Sequence, residues 1–400
     1  MNYLLLKRRS RVADENLFVQ DVSSMGGDEP DAPLQFAIET SDLTHSEATD
    51  ALRDPEVEDV VPSIPLTLIA PVEGTGTAAA DPTNAWGISA VGADTSSLDG
   101  AGVTIAILDT GIERGHEAFA GIKFADDDLM DFSIDTKGKS GSAQDMHGHG
   151  THVAGTILGR DVNGTRIGVA RGVTRVLIAK VLGANGGPTE AIVNAINWAL
   201  TRRADIISMS LGMDFLKIWR GLKDSGLPED IAVSRALEAY RSNVRLFDRI
   251  ASEVQARVEM GRGALLVAAS GNESRRGQNP VFTAAVAPPA AADGFIPVGA
   301  VSREPISVAP FSNTLCQVCA PGVDIVSAKL GGGLIPMSGT SMATPHAAGV
   351  LALWTQELFP GGERPAKWAA DVQRKLETTV KDVPGSRSDV GLGMVQCPKV

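Results

Sequence analysis

Hydrophobic and polar positions divide the chain near residue 70. Before it, short alternating runs at Asn2–Leu6, Leu34–Ile38 and Val57–Pro65 read as strands. Ser41 stands where it could cap a helix running to about Arg53, with Glu47 in its body. Residues 71–85, beginning PVEGTGTAAADPTN, are small, polar and rich in Pro and Gly, which is a linker composition. From Trp86 onward, apolar runs alternate with helical periodicity. VTIAILD (103–109), RVLIAKVL (175–182), ADIISMSLG (204–212), ALLVAASGN (264–272), IPVGAVS (296–302) and VDIVSA (323–328) read as buried strands. TEAIVNAINWAL (189–200) has Ile192, Ile196 and Ala199 on one helical face. Such alternation predicts an α/β domain with a mostly parallel sheet covered by helices on both sides, and ligands at the carboxyl ends of its strands.

One segment departs from this rhythm. From Val233, the residues Leu237, Tyr240, Val244, Phe247, Ala251, Val254 and Val258 follow at alternating steps of four and three. That heptad spacing predicts one helix of about 30 residues, roughly 45 Å long. Packing on the sheet is the expected use of its seam, with a partner-binding coiled coil as the alternative.

The 400 residues allow two or three domains, or one large catalytic domain with appendages. A net charge of −12 argues against nucleic acid or an anionic membrane as partner. In MNYLLLKRRS the basic residues follow the leucines, the reverse of a secretory signal, so a cytoplasmic protein is expected, with a non-classical export route left open. Cys316, Cys319 and Cys397 form no disulfide framework. The C-x-x-C pair lies on a short strand ending at Ala320–Pro321–Gly322 and reads as buried thiols, with a local disulfide or a metal as alternatives.

Candidate chemistry begins with GTSMATPH (339–346), where Ser341 opens an apolar helical stretch. Free amides at a helix N-terminus favour developing negative charge, so Ser341 is a candidate nucleophile as well as a possible buried serine. A nucleophile needs a base. HGHGTHVAG (147–155) holds His147, His149 and His152. These could be metal ligands beside the acidic run Asp126–Asp131, but the H-E-x-x-H spacing of a zinc protease is missing. They could equally supply one general base on the first turn of a helix. Asp109 ends the strand VTIAILD at the ligand rim, where an unpaired charge is costly, and is a candidate acid. Asn272 ends ALLVAASGN and is a candidate oxyanion donor, or a plain turn residue.

The four blocks run in the order acid, base, oxyanion donor, nucleophile. In this the chain resembles the subtilisin family of serine proteases over about residues 86–356, a family whose triad runs Asp, His, Ser. The resemblance implies a three-layer α/β fold with a mostly parallel central sheet. It implies a serine endopeptidase acting through an acyl-enzyme, with Ser341 as nucleophile, His149 as base, Asp109 orienting His149, and Asn272 with the Ser341 amide as oxyanion hole. It also implies that Ser210, Leu211 and Gly212 line one side of the substrate cleft and Ala269, Ser270 and Gly271 the other. Gly186 and Gly187 would pair with the substrate backbone, and Pro188 would end that pairing. The wall segments hold no acidic residue, so a strict basic preference is not expected.

Residues 1–70, most clearly HSEATDALRDPEVEDVVPS (45–63), resemble a small α+β propeptide that inhibits its own enzyme. The first helix of such a propeptide is not evident between residues 10 and 33. A permanent N-terminal module is the alternative, and processing would fall within 65–85. The catalytic domain would span 86–400, with residues 213–263 as an insertion bordering the cleft. No cofactor is required for the chemistry. Structural calcium, common in the family, could use Asp161 and Asn163 in GRDVNGTRIG, with Asp126–Asp131 as a second candidate. The partners expected are a polypeptide substrate and the propeptide, with neither nucleic acid nor membrane. The competing function is a subtilisin-like scaffold, held inhibited, that binds peptides or a partner.

Overall fold

A computed structural model describes residues 2–8, 33–69, 83–278 and 282–399. Most of the linker and the segment between residues 10 and 33 lie outside the described residues. The N-terminal part comprises β1 (Asn2–Arg8), β2 (Phe36–Asp42), α1 (His45–Ala51), β3 (Val57–Pro62) and β4 (Leu66–Leu68). There follow α2 (Trp86–Ala90), β5 (Thr104–Asp109), β6 (Leu129–Asp131), β7 (Lys139–Ser140), α3 (His149–Leu158), β8 (Arg175–Lys180) and α4 (Thr189–Thr201). Then come β9 (Ile206–Met209), β10 (Leu211–Met213), α5 (Phe215–Asp224), α6 (Glu229–Val258), β11 (Leu265–Ala269), β12 (Phe295–Ser302) and β13 (Ser307–Val308). The chain closes with β14 (Val318–Pro321), β15 (Ile325–Ala328), β16 (Leu334–Met337), α7 (Thr340–Leu358), α8 (Trp368–Thr378) and α9 (Arg387–Val390).

The central sheet runs β13-β12-β11-β9-β5-β8-β6-β7, with β14 also on β12. Its inner pairings are parallel, and only β13 and β7 join antiparallel. The chain leaves β5 for β8 on one side and returns through β9 on the other. That reversal opens a crevice at the carboxyl end of β5, where Asp109 stands. Along β5 the side chains alternate: Ile105 and Ile107 enter one hydrophobic cluster, Ala106 and Leu108 the other. The run 204–212 is not one strand. It pairs with β5 and β11 through Met209, then breaks at Ser210 so that β10 can pair antiparallel with β4 instead.

The N-terminal sheet is antiparallel, in the order β2-β1-β3. Its helix starts later than Ser41, which lies inside β2 opposite Tyr3. Thr44 is the cap: its hydroxyl accepts from the Glu47 N–H at 3.2 Å, and the Glu47 carboxylate accepts from the Thr44 N–H at 2.7 Å.

The long helix α6 has 30 residues. The predicted seam is buried only in its second half, through Phe247, Ala251, Val254 and Val258. In the first half Val233 and Leu237 face solvent, and the buried stripe is Ala232, Ala236, Ala239 and Asn243. Small side chains let this half lie close to the N-terminal part, and a straight helix drifts off a strict seven-residue repeat. Asn243 is fully buried and donates to the carbonyls of Pro62 and Ala239, each at 2.9 Å. Within the insertion, α6 packs on β3, on α5 and, through Phe247 against Phe295, on the sheet, while β10, which ends at the insertion's first residue Met213, pairs with β4.

Candidate functional site

Three strand ends and two helix starts converge at the crevice. Asp109 closes β5 and is buried at 1% exposure. Its Oδ1 accepts from the Thr110 N–H at 2.7 Å and faces His149 Nδ1 at 2.7 Å. His149 is the first residue of α3 and is fully buried. Its predecessor Gly148 has φ 94°, the left-handed region that favours glycine. A Cβ on Gly150 would lie 2.2 Å from the Gly111 carbonyl oxygen, so only glycine lets the helix start approach the Asp109 turn. His149 Nε2 has no hydrogen-bond partner among the described residues.

Ser341 is the second residue of α7. Pro345 lies four residues further on and has no N–H to give the Ser341 carbonyl. The Ser210 hydroxyl, just past β9, supplies that bond at 3.1 Å. Since β9 runs beside β5, this contact ties the helix that carries Ser341 to the strand that carries Asp109. Helices α3 and α7 also pack against each other. Asn272 follows β11. Its side-chain oxygen accepts from both the N–H and the hydroxyl of Thr340, each at 2.9 Å, which commits its amide nitrogen to face Gly339. The Thr340 hydroxyl in turn accepts from the Gly271 N–H at 3.2 Å.

His147 and His152 do other things. His147 is exposed, its ring centre 6.4 Å from that of His149. His152 is fully buried with Nε2 at 2.9 Å from the Ile325 carbonyl, and burial pulls its pKa down to about 3. No group of three or more His, Cys, Asp or Glu that could hold a metal occurs among the described residues. Asp161, proposed above for calcium, lies 2.7 Å from Arg171, and Asn163 occupies the left-handed position of the turn closed by Val162 and Thr165. A carboxylate paired with a guanidinium and one amide do not fit a calcium site, which wants six to eight oxygens. Within Asp126–Asp131, Asp128 faces Arg175 and Arg202, while Asp131 accepts from Ser133. All three thiols are free and buried; burial pushes Cys316 and Cys397 up to about 12 and raises Cys319 as well.

The crevice is filled by the chain itself. Strand β4 pairs antiparallel with β10, setting Leu66, Thr67 and Leu68 against Met213, Gly212 and Leu211. On its other side Leu66 exchanges backbone hydrogen bonds with Gly187 at 2.6 and 3.1 Å. Gly186 has φ 92°, and a Cβ there would meet the Leu66 carbonyl at 2.2 Å. Pro188 precedes α4 as its cap, and the next residue, Thr189, takes over by bonding both N–H and C=O of Ile64. The Ile69 side chain is 6% exposed, next to Gly212. The Ser341 hydroxyl oxygen lies 3.2 Å from the Ile69 carbonyl oxygen and 3.3 Å from that of Ser210. Ala269, the last residue of β11, and Ser270 just after it are buried; the Ser270 N–H donates to the Val298 carbonyl at 3.1 Å, and Gly271 serves the Thr340 side.

Several members of the site escaped the sequence reading. Thr340 stands between Gly339 and Ser341 in the GTS run and carried a signal. The register of β4 in the crevice carried none, because pairing with β10 joins residues about 145 positions apart. Among the described residues, no helix is long and apolar enough to cross a membrane.

Comparison with known proteins agrees with this geometry. The family model described as the subtilase family, Peptidase S8, matches residues 100–394. The chain is 36% identical over 267 residues to the major intracellular serine protease of Bacillus subtilis, covering 64% of this chain and 69% of that one. It is 36% identical over 265 residues to an intracellular serine protease of Paenibacillus polymyxa, covering 64% and 68%. It is 31% identical over 333 residues to subtilisin-like protease 1 of Trichophyton rubrum, covering 78% and 54%. With the Asp109–His149 pair, a serine at a helix start and a strand-lined peptide crevice in one place, the chain belongs to the subtilase family and is a subtilisin-like serine endopeptidase.

Proposed function

We propose that the chain hydrolyses peptide bonds through Asp109, His149 and Ser341, and that its N-terminal part is an intramolecular inhibitor whose own link to the enzyme, Ile69–Ala70, is a substrate. The observation that carries this reading is the Ser341 hydroxyl 3.2 Å from the Ile69 carbonyl oxygen, with β4 lying between β10 and Gly187 as a substrate strand would.

Ser341 Oγ attacks the carbonyl carbon while His149 Nε2 takes its proton. Asp109 holds Nδ1–H and stabilises the imidazolium that forms. The developing oxyanion meets the Asn272 amide and the Ser341 N–H, held in advance by Thr340 and by the α7 start. His149 returns the proton to the leaving amine, the C–N bond breaks, and water then cleaves the acyl-enzyme by the same route. A P1 pocket beside Gly212 that takes Ile69, and a P4 position that takes Leu66, favour aliphatic peptides. The names of two relatives suggest an intracellular site of action.

Intact mass before and after a fluorophosphonate tests the proposal. Wild type is expected to gain one adduct, and Ser341→Ala none. Wild type alone should lose residues 1–69 from its 41.7 kDa chain. An unlabelled wild type, both full-length and starting at Ala70, would overturn it.

A further inference from the structure

Behind the Asp109–His149 pair lies a second buried carboxylate, Asp145, 1% exposed. Its Oδ1 accepts from the Thr110 hydroxyl at 2.9 Å and from the His147 and Gly148 N–H groups at 2.9 Å each. Its Oδ2 accepts from the Thr151 N–H at 2.9 Å and the Thr151 hydroxyl at 2.7 Å. The Thr110 hydroxyl also accepts from the Gly150 N–H at 2.9 Å, and the Thr151 hydroxyl accepts from the Glu113 N–H at 3.0 Å. One carboxylate therefore grips both residues that flank the catalytic pair: Thr110, next to Asp109, and Gly148, next to His149.

We propose that Asp145 is a positioning residue for catalysis, holding the loop that carries Asp109 and the helix start that carries His149 in one register. It touches neither substrate nor the reacting atoms, and the inference rests on the triad reading above. The physical argument is one of geometry. Asp109 and His149 come from separate elements, β5 and α3; besides their own contact and a short backbone bridge from Ile112 to Ala143 and Asp145, the side-chain hydrogen bonds that join the two among the described residues run through Asp145, Thr110 and Thr151. An orienting hydrogen bond of 2.7 Å survives only if both elements stay put, and a misplacement of about 1 Å can cost two orders of magnitude in rate. The site also supplies what a buried anion needs. Burial raises the pKa of Asp145, but bonds from the Thr151 hydroxyl and from the Gly148, His147 and Thr151 backbone more than offset this, so the carboxyl stays below the usual range and charged. Five donors aimed at one carboxylate at a helix start would be excessive for capping alone, since one or two satisfied amides make an ordinary cap.

Asp145→Asn keeps the shape but turns an N–H₂ toward the Thr151 donors. With a fluorogenic peptide that wild type cleaves, kcat should fall about 10- to 100-fold while KM stays within about twofold. Combined with Asp109→Asn, the second substitution should add less than about threefold, because residues acting through one pair are not additive. A purely structural role predicts a lowered melting temperature with unchanged kcat, or additive losses in the double variant, and either outcome overturns the proposal. If Asp145→Asn does not fold, Thr110→Val decides. It removes one strut and leaves the carboxylate, and should lower kcat about threefold to tenfold at constant KM; no change overturns the proposal. Asp109→Asn alone separates the two readings: if it retains wild-type kcat, the triad assignment fails, whatever Asp145 does.

Discussion

The two faces of the central sheet are finished differently. On one face Ile105, Ile107, Val176, Ile178, Leu265 and Val267 meet α3, α7 and α8, and the whole cluster comes from residues 85–397. On the other face Ala106, Leu108, Leu177, Ala179, Ile207 and Leu266 meet α4 and α6, and the same cluster continues into Leu4, Leu6, Leu34, Phe36, Val61, Ile64 and Leu66. The first face is self-sufficient. The second lends apolar surface to the N-terminal part, which then sends β4 into the crevice. Occupation of the crevice and hydrophobic burial are thus two ends of one contact, with Asn243, Thr189 and the Arg249–Glu58 ion pair as its polar seams.

The sharpest way to break this contrast is at Ile69. Ile69→Asp places an unpaired carboxylate in a buried apolar position, at a cost of several kcal/mol. Cleavage after residue 69, followed by intact mass, should slow at least about 100-fold, while the body keeps its fold. Cleavage at an unchanged rate would show that β4 is not read as substrate.

Phe36→Ala comes next. It removes a ring 2% exposed from the shared cluster and should cost about 3–5 kcal/mol of docking. In the Ser341→Ala background, urea should then release the N-terminal part before the body unfolds. A single unshifted transition would mean that the second face does not depend on that side chain.

Acid should attack the self-sufficient face instead. His152 on α3 and His346 on α7 are fully buried, and burial lowers their pKa values from 6.5 to about 3 and about 4. Between those values and 6.5 the unfolded chain binds more protons than the folded one, so stability is retained above pH 6.5 and falls as pH drops below it. The slope is up to roughly 1.4 kcal/mol per pH unit for each histidine. Urea midpoints at pH 7 and pH 5 measure it, and His346→Gln should flatten the dependence.

The smallest effect is expected on α6. Leu237→Lys, 53% exposed, should change stability by less than about 0.5 kcal/mol, whereas Leu246→Lys, 1% exposed, should be severely destabilising. Equal costs would restore the predicted heptad seam and remove the small-residue stripe from the interface.

The α/β alternation, the strand-end position of Asp109 and Asn272, and the four sequence blocks were all legible in the chain. Each depends on neighbours within a few residues: a buried parallel strand is a continuous apolar run, and a helix start shows itself through glycine, threonine and small residues. The Ser41 cap was misread because Thr44 competes for the same role three residues on, and only the Glu47 bond chooses between them. The pairing of Asp161 with Arg171, ten residues away, was likewise not legible in the local pattern.

Local pattern alone therefore determined the class of the domain, the positions of Asp109, His149, Asn272 and Ser341 at strand ends and helix starts, and the length of α6. Tertiary structure alone decided which face of α6 is buried, that Asp145 grips both elements that carry the Asp109–His149 pair, and that Leu66–Ile69 lies in the crevice at the sheet's carboxyl end. The physical reason is the same in each case. Periodicity records how a residue relates to its neighbours along the chain, whereas these contacts join segments tens to hundreds of residues apart, and shape and hydrogen-bond register choose them only once the sheet has formed.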